Sequence, residues 1–284
     1  MSFADRIRHC NSYDQARAIP LWAGEHRIGW LRRDNAGVLA RLGGGVFAVE
    51  ADSARLLAEG DADTISRAVD GVVDKLIAER LVSKWRNETF DVAPCWGEKP
   101  IFRLDRGAVP FFGVRAYGVH LNGYRRIDGQ YWLWIGKRAW NKQVSPGKLD
   151  NMVAGGIGNG FAALATLAKE AEEEAGVTAG QVASATAAGA LTYRMETKHG
   201  IRDDVMFVYD LETPADFTPS NSDGEIAGFE LMPLAAILER VRTTADFKFN
   251  VNLVILDFAL RHGVLRPDDP EYLDVANGLH RPFD

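Results

Sequence analysis

The run GGIGNGFAALATLAKEAEEEAGV, residues 155–177, decides how the rest of this chain is read. Glycines at 155, 156, 158 and 160 lead into a stretch free of glycine and proline, so a loop that lets other groups approach the backbone closely passes into a helix. The helix is expected over 162–175, closed by Gly176 as its C-terminal cap. Lys169, Glu170, Glu172, Glu173 and Glu174 crowd its last turns. Carboxylates there face the negative end of the helix dipole, which disfavours each by about 0.3 kcal/mol or more unless a cation compensates. At about 100° per residue Glu170, Glu173 and Glu174 share an arc of roughly 100°, whereas Glu172 points elsewhere. Three oxygen donors on one face suit a hard cation, Mg2+ or Mn2+, that can bridge phosphates and activate water. A merely solvated acidic face is the alternative reading at this point.

The same run resembles the Nudix box, G-x5-E-x7-R-E-U-x-E-E-x-G-U with U aliphatic. Aligned without gaps, Gly155 is the first glycine, Glu170 the Glu of the R-E pair, Ala171 the small apolar position, Glu173 and Glu174 the E-E pair, and Gly176 and Val177 the closing pair. Two positions depart. Phe161 stands where the first Glu is usual, and Lys169 replaces the Arg. In the family the first Glu mainly supports the loop-helix geometry and the Arg orients the carboxylates. An apolar Phe161 is expected to pack under the glycine loop instead, and Lys169 keeps the charge but not the planar fork. The resemblance implies Glu170, Glu173 and Glu174 as metal ligands with Gly155 beside them, and a catalytic set of Glu173, Glu170, Lys169 and a loop glutamate. Glu225 in NSDGEIAGF is the first candidate for that loop residue and Glu196 its competitor; simple solvation in a turn remains open for Glu225. Gly155, Gly156, Lys137, Arg138 and Lys148 are the candidates for contact with substrate phosphates, with solvated strand ends as the alternative for the cations.

The similarity extends to GVHLNGY, LWIGKRAWNKQVSPGKLDNMVAGG, RDDVMFVYDLE, NSDGEIAGFELM and the opening FADRIRHCN. These look like the subgroup that includes the Nudix part of fungal thiamine pyrophosphokinase fusions and plant chloroplast Nudix enzymes. Members of that subgroup carry an additional amino-terminal domain, and some remove phosphate from thiamine diphosphate or its damaged oxo and oxy analogues. The resemblance therefore implies hydrolysis of a phosphoanhydride in a small organic diphosphate. A hydrolase of nucleoside-diphosphate-linked substrates (ADP-ribose, dinucleotides, coenzyme A) is the second enzymatic reading. A non-catalytic diphosphate-binding module, with Phe161 and Lys169 as marks of decay, is the third.

Outward from this segment, 114–126 and 131–139 are rich in aromatic and β-branched residues and flank Asp128 and Gly129, so they read as a hairpin. Residues 205–212 and 226–232 read as strands, and 233–241 and 251–260 as helices. Upstream, 27–31 and 46–49 read as strands and 61–80 as a helix, from the spacing of Ile65, Val69, Val72, Val73 and Leu76. The stretch 87–110 contains Pro94, Pro100 and Pro110 and little periodicity, which marks it as an interdomain connection. The expected fold is an α/β/α sandwich with a mixed sheet over 109–284, preceded by a smaller α+β accessory domain over 1–108. That first domain holds no comparable cluster of carboxylates, histidines or glycines, so it is expected to shape substrate choice rather than perform chemistry. Tyr117, Tyr124, Trp132, Trp134 and Trp140 are expected mainly in the core, with one free to stack on a heteroaromatic ring. His120, His199 and Cys10 are read as structural or surface residues.

In 284 residues, 46% hydrophobic and 25% charged, there is material for a sizeable core. The formal net charge of −6 excludes a general attraction to nucleic acid or anionic lipid. A polyphosphate would have to be held locally, through metal. Cys10 and Cys95 form no CxxC pair and suggest neither a disulfide framework nor a zinc site. With no signal-peptide core and no long apolar run, a cytoplasmic protein is expected, its partner a small-molecule diphosphate, with neither nucleic acid nor membrane and with homodimerisation left open.

Overall fold

The structure is a computed structural model and describes residues 2–281. Its first part runs α1 (Phe3–Cys10), β1 (Ala18–Ala23), β2 (His26–Arg32), α2 (Arg33–Leu42), β3 (Phe47–Val49), β4 (Ala54–Leu56), α3 (Ala62–Ala78), β5 (Thr89–Val92), β6 (Phe102–Asp105) and α4 (Val109–Phe112). Strands β2-β1-β4-β3 form a four-stranded sheet, with β1 and β4 parallel. Helix α3 starts where the Asp61 carboxylate accepts the Thr64 N–H, and its Val69, Val72 and Leu76 stripe packs with Leu21, Leu31 and Leu39.

The expected bare connection over 87–110 is instead the antiparallel pair β5–β6, whose Phe90, Val92, Phe102 and Leu104 are buried in the same core. Its prolines misled because they border structure rather than interrupt it: Pro94 and Pro100 lie in the loop between the strands and Pro110 in the first turn of α4.

The second part continues with β7 (Arg115–Ile127), β8 (Gln130–Arg138), β9 (Leu149–Asp150), β10 (Val153–Gly156), α5 (Ala163–Ala175), α6 (Ala179–Val182), β11 (Thr186–Thr197), β12 (Gly200–Glu212), β13 (Ile226–Pro233), α7 (Leu234–Thr243), α8 (Val251–Arg261) and α9 (Tyr272–Gly278). The β7–β8 hairpin turns through Asp128 and Gly129, both at positive φ, the conformation that an Asp-Gly pair takes most readily. A seven-stranded mixed sheet has the order β11-β12-β7-β8-β13, with β10 paired to β7 and β9 to β8. Side-chain alternation gives it two apolar faces. Val119, Leu121 and Trp134 pack against Leu167, Ala171 and Ala175 of α5, while Leu133, Ile135, Met206 and Val208 pack against Val254, Ile255 and Phe258 of α8. Each buried Val, Leu, Ile, Met or Phe among them contributes about 1.5–3 kcal/mol. This is the expected α/β/α sandwich.

Packing crosses the residue-108 boundary in both directions. Phe3, Ile7 and Cys10 of α1 lie in the α8-side core, whereas Phe111, Phe112, Val114 and Ala116 belong to the first core. At the joint the Trp30 N–H donates to the Gly113 carbonyl at 3.0 Å. Gly113 sits at φ 60°, and a Cβ there would fall 1.8 Å from the Trp30 carbonyl oxygen, so only glycine fits. Among the described residues no helix is long and apolar enough to cross a membrane.

Candidate metal and diphosphate site

Leu167, Ala171 and Ala175 anchor α5 to the sheet, and this fixes where its carboxylates emerge. Gly176 ends the helix in the left-handed conformation, with its N–H on the Glu172 carbonyl. The remaining carbonyls at this end are covered by a distant loop. The Ser220 N–H reaches the Ala175 oxygen at 3.1 Å, and the Ser222 N–H and hydroxyl reach that of Glu173 at 3.0 and 2.9 Å. These bonds lay the 220–225 loop along the acidic end of α5.

Glu174 is 3% exposed and accepts the Ala154 N–H at 2.9 Å. Burial pushes its carboxyl up to about 8, against that hydrogen bond, with Asp150, Glu170 and Glu225 adding repulsion. Glu170 is raised in the same way, first by burial and then by Glu173 and Glu225, while Lys169 opposes. Glu170, Glu174 and Glu225 therefore act on one another across one small region. The Lys169 ammonium lies 2.6 Å from Glu173 and 3.2 Å from Glu170 and is held charged by both. A Cβ on Gly155 would lie 2.4 Å from Glu170 Cγ, so any larger residue there would displace the Glu170 side chain. Glu225 is ion-paired with Lys142, and its carbonyl accepts the Ala139 N–H at 2.9 Å.

The fold thus gathers Gly155, Lys169, Glu170, Glu173, Glu174 and Glu225. Among the described residues no three His, Cys, Asp or Glu side chains stand in ready-made metal geometry, and Glu173 is turned onto Lys169. The donor chemistry nevertheless fits a hard divalent cation. All the donors are carboxylate oxygens, and one is buried, with its proton affinity raised first by that burial and then by the neighbouring carboxylates.

Other candidates are placed elsewhere. Arg138 is buried against Asp150 at 2.6 Å and also donates to the Val144 and Ser145 carbonyls, so its guanidinium is committed to holding the following loop rather than open to phosphate. Lys137 shares its strand face with Leu133 and Ile135, which pack away from α5. Lys148 donates to the Ala245 carbonyl at 2.5 Å. Gly156 does line the loop, pressed on Phe90 from the first part of the chain. Phe161 is 54% exposed and so is not buried under the glycine loop, although its ring edge lies near Gly158. Glu196 pairs with Arg17 at 3.2 Å and is engaged there. His120 is buried and bonded to Asn151 at 2.8 Å, His199 faces the Leu81 carbonyl, and the Cys10 thiol donates to that of Phe249. Trp134 is buried and Tyr117, Tyr124 and Trp132 half-buried, but Trp140 is exposed. Sequence reading missed Ser220, Ser222 and Lys142, whose contacts join segments remote in the chain. It also missed Trp96, whose half-exposed ring lies 4.6 and 4.8 Å from those of Tyr117 and Phe207.

Residues 118–251 match the NUDIX domain, and residues 2–116 match a domain of unknown function, DUF4743. Nudix hydrolase 20, chloroplastic, of Arabidopsis thaliana is 44% identical over 75% of this chain, and Nudix hydrolase 24, chloroplastic, of the same plant is 43% identical over 75%. The chain spans 57% and 59% of the lengths of these two relatives. An uncharacterized protein of Saccharomyces cerevisiae is 31% identical over 78% of this chain and 70% of its own length.

Proposed function

Because the chain belongs to the Nudix hydrolase family, we propose that it cleaves the phosphoanhydride bond of a small organic diphosphate with the help of Mg2+ or Mn2+. The observation that carries this reading is that Glu170, Glu173 and Glu174 emerge together at one end of α5 beside Gly155, with Glu174 buried and its carboxyl raised to about 8, first by burial and then by Asp150, Glu170 and Glu225. Such a cluster is costly without a cation and productive with one. Glu170, Glu173 and Glu174 would hold the metal, which when bound neutralises phosphate charge and lowers the pKa of water. Lys169 keeps Glu170 and Glu173 aligned through its two contacts. Glu173 or Glu225, the more exposed carboxylates, takes the proton of the water that attacks phosphorus. The bridging P–O bond then breaks, inorganic phosphate leaves and a monophosphate remains.

Thiamine diphosphate and its oxidised analogues are the first substrates to try, on the sequence resemblance described above. The free state of both cysteines fits a reducing, cytoplasm-like compartment. The test is phosphate release from a panel holding thiamine, oxothiamine and oxythiamine diphosphates beside ADP-ribose, dinucleoside polyphosphates and coenzyme A, with Mg2+, Mn2+ or EDTA. Metal-dependent turnover highest on a thiamine-type diphosphate is expected. A preference for ADP-ribose would move the substrate assignment, and turnover of nothing, or full turnover in EDTA, would overturn the reading.

A further inference from the structure

Helix α5 begins without the local devices that normally fix a helix start. Its N-cap is Ala162, which has no side-chain acceptor, and no acidic residue stands in the first turn. Phe161 just before it is exposed, and its contacts are with Gly158 of the same loop. Yet this entry must be accurate, because α5 carries Glu170 past Gly155 with no room for a Cβ.

The missing anchorage comes from hairpin β5–β6, far upstream in the chain. The Gly160 N–H donates to Asp91 Oδ2 at 2.8 Å, and the Asn159 N–H donates to the Thr89 carbonyl at 2.8 Å. Between them Phe90, 7% exposed and rooted in the first core, lies against Gly156, where an added Cβ would come within 2.7 Å of its ring. Asp91 is itself steadied across the hairpin by Arg103, 3.8 Å away, which also binds Asp63 of α3. The loop is thus gripped at three successive points: Gly156 by a ring, Asn159 by a carbonyl and Gly160 by a carboxylate.

We propose that Asp91 is a positioning residue of the diphosphate site and that hairpin β5–β6 is the clamp through which the amino-terminal part fixes the glycine loop and α5 carboxylates. This rests on the function proposed above. It also changes the role expected for the first hundred residues: through this clamp they act on the chemical step and not on substrate choice alone. Asp91 works through its hydrogen bond, so its carboxamide counterpart, which keeps an acceptor oxygen, preserves the effect while alanine removes it.

The test uses full-length wild type, Asp91→Ala and Asp91→Asn, with steady-state kinetics and hydrogen exchange of the amides in 155–162. Asp91→Ala is expected to lower kcat by about 10- to 100-fold, as loss of a supporting partner commonly does, with KM changed by less than about 3-fold. It should also lose exchange protection at Asn159 and Gly160, and Asp91→Asn should restore both. Unchanged kcat and protection in Asp91→Ala would overturn the proposal, as would an Asp91→Asn variant as impaired as Asp91→Ala. If wild type hydrolyses no diphosphate, the proposed function fails and exchange alone decides the clamp: protection lost only in 155–162 supports it, and unchanged protection refutes it.

Discussion

Replacing Glu174 by Gln separates the electrostatics of this site from its packing. Glu174 is 3% exposed, and its carboxyl rises from an ordinary 4.5 to about 8. Between those values the folded chain holds a proton that the unfolded chain has released. Stability is therefore complete below about 4.5 and is lost as pH rises toward 8. At 1.36 kcal/mol per unit the shift amounts to at most about 5 kcal/mol at alkaline pH. Gln has no such proton and keeps an oxygen for the Ala154 N–H, but its amino group needs a new partner, at a cost of about 1–2 kcal/mol. Relative to wild type, Glu174→Gln should gain about 2–4 kcal/mol in EDTA as pH rises from 5 to 8. For a chain of this size that is a shift of about 4–12 °C in the difference between the two Tm values. Calorimetric melts of both proteins in EDTA at pH 5, 6, 7 and 8 read this directly. With Mg2+ present the same variant should lose turnover by about two orders of magnitude or more. A Tm difference that is the same at pH 5 and pH 8, or a variant with wild-type turnover, would refute the reasoning.

Arg138→Met should destabilise the protein by about 3 kcal/mol, because it leaves the buried Asp150 carboxylate with Lys248 at 3.4 Å and the Asn151 N–H at 3.0 Å but without its guanidinium partner; KM should stay within about 3-fold, and a large KM effect in a stable variant would return Arg138 to the substrate. His120, held by burial at about 4 against an ordinary 6.5, contributes stability that is complete above 6.5 and lost as pH falls toward 4, on the order of 3 kcal/mol. His120→Gln should remove that dependence in urea midpoints compared at pH 7 and pH 4.5, and parallel pH profiles would contradict it. Phe161→Glu should leave turnover in place, since position 161 is exposed; wild type inert on every diphosphate beside an active Phe161→Glu would favour a decayed site.

Local sequence determined much of the fold. Aromatic and β-branched residues and the Asp128-Gly129 turn carry the β7–β8 hairpin, the spacing of Ile65 to Leu76 carries α3, and Gly176 ends α5, because each signal acts between residues a few positions apart. The carboxylates of α5 were legible for the same reason, since helical geometry alone puts Glu170, Glu173 and Glu174 on one side. What could not be read was partnership. Lys137 and Arg138 are neighbours in sequence, yet strand alternation sends one to the face away from α5, and a buried Asp150 claims the other. Phe90 and Val92 alternate with polar neighbours, but the flanking prolines hid a hairpin whose role lies in gripping residues 156–160. Only the tertiary structure decided that Glu174 is buried while Glu173 is half-exposed, that Ser220 and Ser222 cover the helix end, and that Asp91 holds Gly160. Burial and long-range hydrogen bonds depend on which segments are brought together, and a carboxylate's neighbours, more than its own identity, set how tightly it holds a proton.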